Sequence, residues 1–169
     1  MSYSFEEISE RHRTGVINVF NYYVANGFAV YSSEPVDYDA FDRLLKIAQA
    51  YPSLVVKDDS GEVVGYAFLS SYHPADSFRR TTKIAYFIMP EHTGKGLGAT
   101  ILEKLVAQAR EQEIEIILAN ISSRNEGSLR FHCRHGFREC GRFRRIGQKF
   151  GKDFDVVWMQ LDLKSNTNH

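Results

Sequence analysis

The chain has 169 residues, is 43% hydrophobic and 25% charged, and balances 21 Lys and Arg against 21 Asp and Glu. That length supports one compact domain with a buried core, and zero net charge provides no global field to gather nucleic acid or an acidic membrane surface. No apolar run is long enough to span a bilayer, the start MSYSFEEISERHR lacks a secretory pattern, and Cys133 and Cys140 are too few for a disulfide framework, so a cytoplasmic, reduced setting is expected.

SYSFEEIS predicts a short strand. Val16, Val19, Phe20 and Tyr23 then recur at helical spacing, with Ser9 or a neighbour as cap and Val24 at the end. The turn SSEPVDYDAF launches a second helix, with Asp37 as its cap and Phe41, Leu44, Leu45 and Ala48 on one face. SLVVKDDSGEVVGYAFLSSY reads as a hairpin, because β-branched and aromatic runs flank DDSG, whose residues suit a turn. RRTTKIAYFIM is a further strand, stopped by Pro90. Leu97, Ile101, Leu102, Leu105, Val106 and Ala109 mark a helix to about Gln112. IEIILANI is nearly continuous in apolar character, as in a strand covered on both faces. NEGSLRFHCRHGF predicts a short helix ended by Gly136, and RFRRIGQKFGKDFDVVWMQLDL gives two strands around Gly151. The order β-α-α-β-β-β-α-β-α-β-β holds one crossover, from Thr82–Met89 to Ile114–Ile121, so one parallel pair is expected in a mostly antiparallel sheet. One domain is expected over 1–163, with a flexible polar tail at 164–169.

Between the strand ending at Met89 and the helix after it lies EHTGKGLG. Gly94, Gly96 and Gly98 expose bare amides at a helix start, where the dipole adds positive potential, which predicts a phosphate site. A P-loop would need Ser or Thr after its Gly-Lys pair, and Gly96 follows Lys95. A dinucleotide fold would need glycine straight after the strand and a carboxylate ending the next one, where LANI stands.

TGKGLG at 93–98 resembles the pyrophosphate loop R/Q-x-x-G-x-G/A of the GNAT N-acetyltransferase superfamily, and NEGSLRFHCRHGF resembles its N-x-x-S-x-x-L-[YH]-x-x-x-G-F segment. YPSLVVKDDSGEVVGYA, FRRTT and GRFRRIGQKFGKDFDVVWMQ are similar to segments of its phosphinothricin acetyltransferase-like branch, so the likeness covers roughly Phe20 to Leu161. The resemblance implies an α+β fold: a three-layer α/β/α sandwich around a mixed, mostly antiparallel sheet with one parallel pair. It implies acetyl transfer from acetyl-CoA to the primary amine of a small acceptor, an amino acid or its analogue, by a homodimer that uses no metal. The rival readings are a non-catalytic acyl-CoA sensor and a protein N-terminal acetyltransferase.

Residue by residue, the resemblance places the amides of Gly94, Lys95, Gly96, Leu97, Gly98 and Ala99 on the pyrophosphate, with Thr93 at the head of this cofactor-binding loop, and the edge of Phe87, Ile88 and Met89 along pantetheine, with one amide near Met89 on the thioester carbonyl. It puts Asn125 and Ser128 in contact with coenzyme A and His132 near the sulfur as general acid. Thr93 departs from the usual Arg or Gln, a loss that Lys95 or Arg130 would offset. Lys83 stands where the branch often carries a glutamate base. Three readings of it stand: a base of lowered pKa, an outward surface charge, or a partner for an anionic acceptor. Glu34, Asp37 and Glu91 are the substitute bases. Phe28, Tyr31, Tyr72, Phe78 and Arg79 are the acceptor-lining candidates, and GQKF at 147–150 lies near the same pocket. His135 and Cys133 beside His132 lack a zinc spacing. Arg130, Arg134, Arg138, Arg142, Arg144, Arg145, Lys149 and Lys152 face only Glu139 in the local sequence, with Phe131, Phe137, Phe143 and Phe150 interleaved. Alternation predicts phenylalanines inward and cations in water rather than a nucleic-acid surface.

Overall fold

In the computed structural model, which describes residues 1–164, the chain runs through β1 (Ser4–Glu6), α1 (Arg13–Ala25), α2 (Phe41–Ala50), β2 (Ser53–Lys57), β3 (Val63–Ser71), β4 (Thr81–Ile88), α3 (Leu97–Glu111), β5 (Ile116–Ser122), α4 (Glu126–Arg134), β6 (Arg138–Lys149) and β7 (Lys152–Asp162). The strands form one sheet in the order β1-β2-β3-β4-β5-β7-β6, and β4 with β5 is its one parallel pair among the described residues. This is the expected order of elements.

Alternation along each strand divides the apolar residues between two faces. Leu54, Val56, Leu69, Ile84, Ile117, Ala119, Val157 and Met159 pack against Leu97, Ile101, Leu102 and Leu105 of α3. Val55 and Tyr66 meet Val16, Ile17 and Val19 of α1 and Phe41 of α2 on the other side. The two clusters are the outer interfaces of a three-layer α/β/α sandwich. Leu69, Ile101, Leu105 and Ile117 are fully buried, each contributing about 1.5–3 kcal/mol of transfer free energy. No described helix is long and apolar enough to cross a membrane.

Local signals were expressed with small shifts. Ser9 heads a 3-10 turn, Glu10–His12, that leads into α1, and its N–H donates to His12 Nδ1 at 3.1 Å. Asp37 heads another, Tyr38–Ala40, before α2. Its carbonyl accepts from Ala40 N–H, while its carboxylate makes no cap bond. In DDSG, the Asp58 carboxylate accepts from the amides of Ser60 and Glu62, and Gly61 takes φ 84°. Lys164, assigned above to the polar tail, pairs with Glu115 at 2.7 Å; residues 165–169 lie outside the described residues.

Candidate active site

β4 has eight residues and β5 seven, yet they pair only at Thr81–Ile116, Thr82–Ile117 and Lys83–Leu118. Beyond Lys83 the two strands diverge and the sheet opens. In β4 the odd residues face β3 with their backbone groups: Met89 N–H donates to Val64 O at 2.8 Å, in register with Phe87–Tyr66 and Ala85–Phe68. Antiparallel alternation therefore turns the main-chain groups of Tyr86 and Ile88 into the gap. Met89 N–H, spent on β3, is not the free amide expected near that position. The Ile88 carbonyl accepts from the Tyr23 hydroxyl of α1, which leaves Ile88 N–H and both groups of Tyr86 as the edge that a strand-like ligand can use.

The gap leads to the glycine loop. Gly94 and Gly96 adopt φ 73° and 78°, and Gly96 is the left-handed N-cap of α3. The first helical bond is Thr100 N–H to Gly96 O, so among the described residues none accepts from the amides of 94–99. Six donors at the positive end of a 15-residue helix form an anion cradle. Thr93 donates its hydroxyl to Pro90 O at 2.7 Å and its N–H to the same atom. It holds the turn before the cradle, and its amide is not one of the free donors. Lys95 is exposed, and Arg130 lies 3.8 Å from Glu126. A cavity of about 940 Å³ joins loop and gap, lined among others by Tyr86, Ile88, Gly94, Gly98, Asn125 and Ser128. Asn125 caps α4 by accepting from Ser128 N–H at 3.3 Å.

His132 is on the inner face of α4 and only 3% exposed. Its Nδ1 is 2.7 Å from Ser128 O, its Nε2 2.5 Å from the Tyr86 hydroxyl. Burial lowers its pKa to about 4, with nearby His135 acting in the same sense. His132 is therefore neutral and reaches the cavity through Tyr86, which sequence reasoning missed. The available signal was strand alternation, which sets Tyr86 on the face of Thr82 and Ile84, toward α4.

Lys83 occupies the opposite face, across from Ser70 of β3 and Leu118 of β5, with Asn120, Trp158 and Gln160 further along the same face. It is half-buried, and among the described residues no carboxylate pairs with it. Glu34, Asp37 and Glu91 are all exposed in connections. Tyr31 bonds Asn120 Oδ1 at 3.1 Å and stacks on Phe154, while Phe28 lines the cavity and packs on Phe150 and Phe154. Tyr72, Phe78 and Arg79 do not line it. They lie in the β3–β4 connection, where Tyr72 and Phe78 pack together and Arg79 approaches Asp76.

Lys149, within GQKF, was expected to hold its cation in water with the rest of the basic stretch and is buried instead. Its ammonium is buried and donates to Val30 O at 2.8 Å and Tyr23 O at 3.3 Å, tying the β6–β7 turn to the segment carrying Phe28. Lys149→Met leaves two carbonyls without their donor and is expected to lower stability by about 1–3 kcal/mol, read as an earlier urea midpoint at unchanged slope. A midpoint equal to wild type would refute that role.

The basic stretch corrects one expectation. Phe131 and Phe137 pack inward, but Phe143 and Phe150 are 58% and 57% exposed. A register shift between Phe143 and Gly147, with Arg145 at φ 55°, breaks the alternation, and Phe150 occupies the turn at φ 53°. The cations find partners across the hairpin: Arg142 pairs with Asp155, Arg145 with Asp153. No group of three His, Cys, Asp or Glu among the described residues is placed to hold a metal.

Comparison with known proteins agrees with this geometry. The sequence profile described as Acetyltransferase (GNAT) family matches residues 16–137. The chain is 35% identical to the L-methionine sulfoximine/L-methionine sulfone acetyltransferase of Pseudomonas aeruginosa, over 96% of each chain. It resembles the crystal structure of a phosphinothricin acetyltransferase from Sinorhizobium meliloti in complex with AcCoA, at TM-score 0.91 and 26% identity, covering 99% of this chain and 91% of that one. It also resembles the ribosomal-protein-alanine N-acetyltransferase of Brucella melitensis, at TM-score 0.86 and 29% identity, covering 94% and 99%.

Proposed function

We propose, for a chain that belongs to the Acetyltransferase (GNAT) family, that it transfers acetyl from acetyl-CoA to the primary amine of a small amino-acid-like acceptor of the methionine sulfoximine or phosphinothricin kind. The observation that carries this is the continuity of the free-amide cradle at 94–99 with the gap between β4 and β5. A diphosphate on the cradle directs the pantetheine arm along Ile88 and Tyr86, with Asn125 and Ser128 beside it. The thioester then reaches the level at which the strands rejoin, near Lys83.

The acceptor binds on the α1/α2 face. Lys83, without a carboxylate partner among the described residues, suits the acceptor's carboxylate better than the role of base. Phe28 and Tyr31 bound the upper end of this face. Tyr72, Phe78 and Arg79 lie beyond its lower end, where they serve an acceptor only from the margin. Exposed Phe143 and Ile146 on edge strand β6, with exposed Phe150 in the turn after it, support a homodimer, and free, exposed Cys133 and Cys140 support a cytoplasmic setting.

Thiol release from acetyl-CoA, followed over small amino acids, their sulfoximine and phosphinate analogues, and peptides, tests the reading. Turnover on the small amines is expected, with Lys83→Met raising KM for carboxylate-bearing acceptors more than it lowers kcat. Turnover on peptides alone would favour the second reading, protein N-terminal acetylation, which the likeness to the Brucella enzyme motivates. Binding without turnover on any acceptor would make the chain a sensor.

A further inference from the structure

Tyr86 connects the reacting gap to a buried base. The Ser128 carbonyl can only accept, so His132 Nδ1, 2.7 Å from it, carries the imidazole proton and Nε2 is bare. The Tyr86 hydroxyl donates to that bare nitrogen across 2.5 Å, and its remaining lone pairs are free for a proton arriving from the cavity that Tyr86 lines. Around the imidazole stand Phe131 and Phe137 at edge-on angles, Ser128 Oγ at 3.2 Å, and the ring of His135 next to Phe131. Among the described residues no carboxylate bonds it. The ring is held in one tautomer and its accepting nitrogen is aimed at one partner.

We propose that Tyr86 is a catalytic residue: its hydroxyl carries protons between the reacting amine and the departing thiolate, with His132 as the proton store behind it. When the amine nitrogen bonds the thioester carbonyl carbon, it must shed a proton. The Tyr86 oxygen takes that proton as the original phenolic proton passes to Nε2. The carbon–sulfur bond then breaks with its electron pair on sulfur. Nε2 returns its proton to the Tyr86 oxygen, and the Tyr86 hydroxyl proton passes to sulfur. The products are an amide and a free thiol; dyad and charge are restored, with no outside reactant. Nitrogen and sulfur are bonded to one carbon until the carbon–sulfur bond breaks, so the thiolate forms within reach of the hydroxyl that took the proton from nitrogen. The pair thus supplies a base on the face opposite Lys83, whose ammonium is suited to an acceptor's carboxylate.

The inference rests on the acetyl-transfer reading, and kinetics of wild type, Tyr86→Phe, His132→Gln and the double variant separate the two. Tyr86→Phe keeps the ring and is expected to lower kcat about 100-fold while leaving KM for acetyl-CoA within about threefold and the melting temperature near wild type. Groups that act as a unit are non-additive, so the double variant should be no slower than the slower single one. A Tyr86→Phe kcat within about threefold of wild type, or a double variant whose loss is the product of the single losses, overturns the shuttle alone. If His132→Gln fails to fold, the Tyr86→Phe result decides by itself. A wild type that transfers acetyl to no amine and no peptide overturns the transfer reading, and the shuttle with it.

Discussion

Gly96→Val is expected to weaken acetyl-CoA binding at least tenfold, measured by calorimetry, with helix content unchanged. Gly96 occupies φ 78° as the N-cap of α3, a conformation that costs an ordinary residue about 1–2 kcal/mol and a β-branched one more. The open space around the position means that a Cβ meets nothing within 4 Å, so the effect is one of backbone conformation rather than collision. A valine relieves its strain by rotating φ to negative values, which swings the amides of Lys95, Gly96 and Leu97 off their common target. A loss of about 1.4 kcal/mol is one decade of affinity, and misdirecting two charge-assisted donors exceeds that. Gly141→Ala is the control: Gly141 lies on exposed β6, away from the cavity, with open space at its Cβ and no positive φ. An affinity for Gly96→Val within twofold of wild type would remove the cradle from the proposed function.

The glycine loop was legible because it is local: three glycines between a strand and a helix state their chemistry without help from the rest of the chain. The same holds for the parallel pair, which follows from a helix of the right length between two apolar runs. Gly98 shows the boundary of such reasoning. It reads as a phosphate-loop glycine, yet the structure gives it a packing role too, since a Cβ there would lie 3.2 Å from the Phe131 ring of α4. Tyr86 and His132 are 46 residues apart, and nothing in the spacing of either announces the other. Arg142 and Arg145 have only Glu139 to face in the local sequence until β7 brings Asp155 and Asp153 alongside. Met89 reads as the natural end of a free edge until β3 takes its amide. Each missed feature is a contact between elements, set by register and face, which periodicity within one element does not encode.

The same dyad makes stability fall in mild acid. In the unfolded chain His132 titrates at 6.5; folded, burial holds it at about 4. Above pH 6.5 neither state binds the proton and the group contributes nothing to the slope. Between pH 6.5 and 4 the unfolded chain takes it up and the folded chain does not, so stability falls with pH by about 3 kcal/mol across that window. Below pH 4 both states bind it, and the loss from this group stops. His12, buried beside Glu6 with its pKa also lowered by burial, adds in the same sense, while Glu6, bonded to Lys57 and His12, is held below the usual carboxylate value and loses its contribution at lower pH. The His132 share is isolated by comparing slopes: urea unfolding of His132→Gln between pH 7 and 4.5 should show a clearly shallower decline than wild type, whatever the offset between them. Parallel lines would mean that His132 takes up its proton in the folded protein as readily as in the unfolded one, so that burial does not depress its basicity.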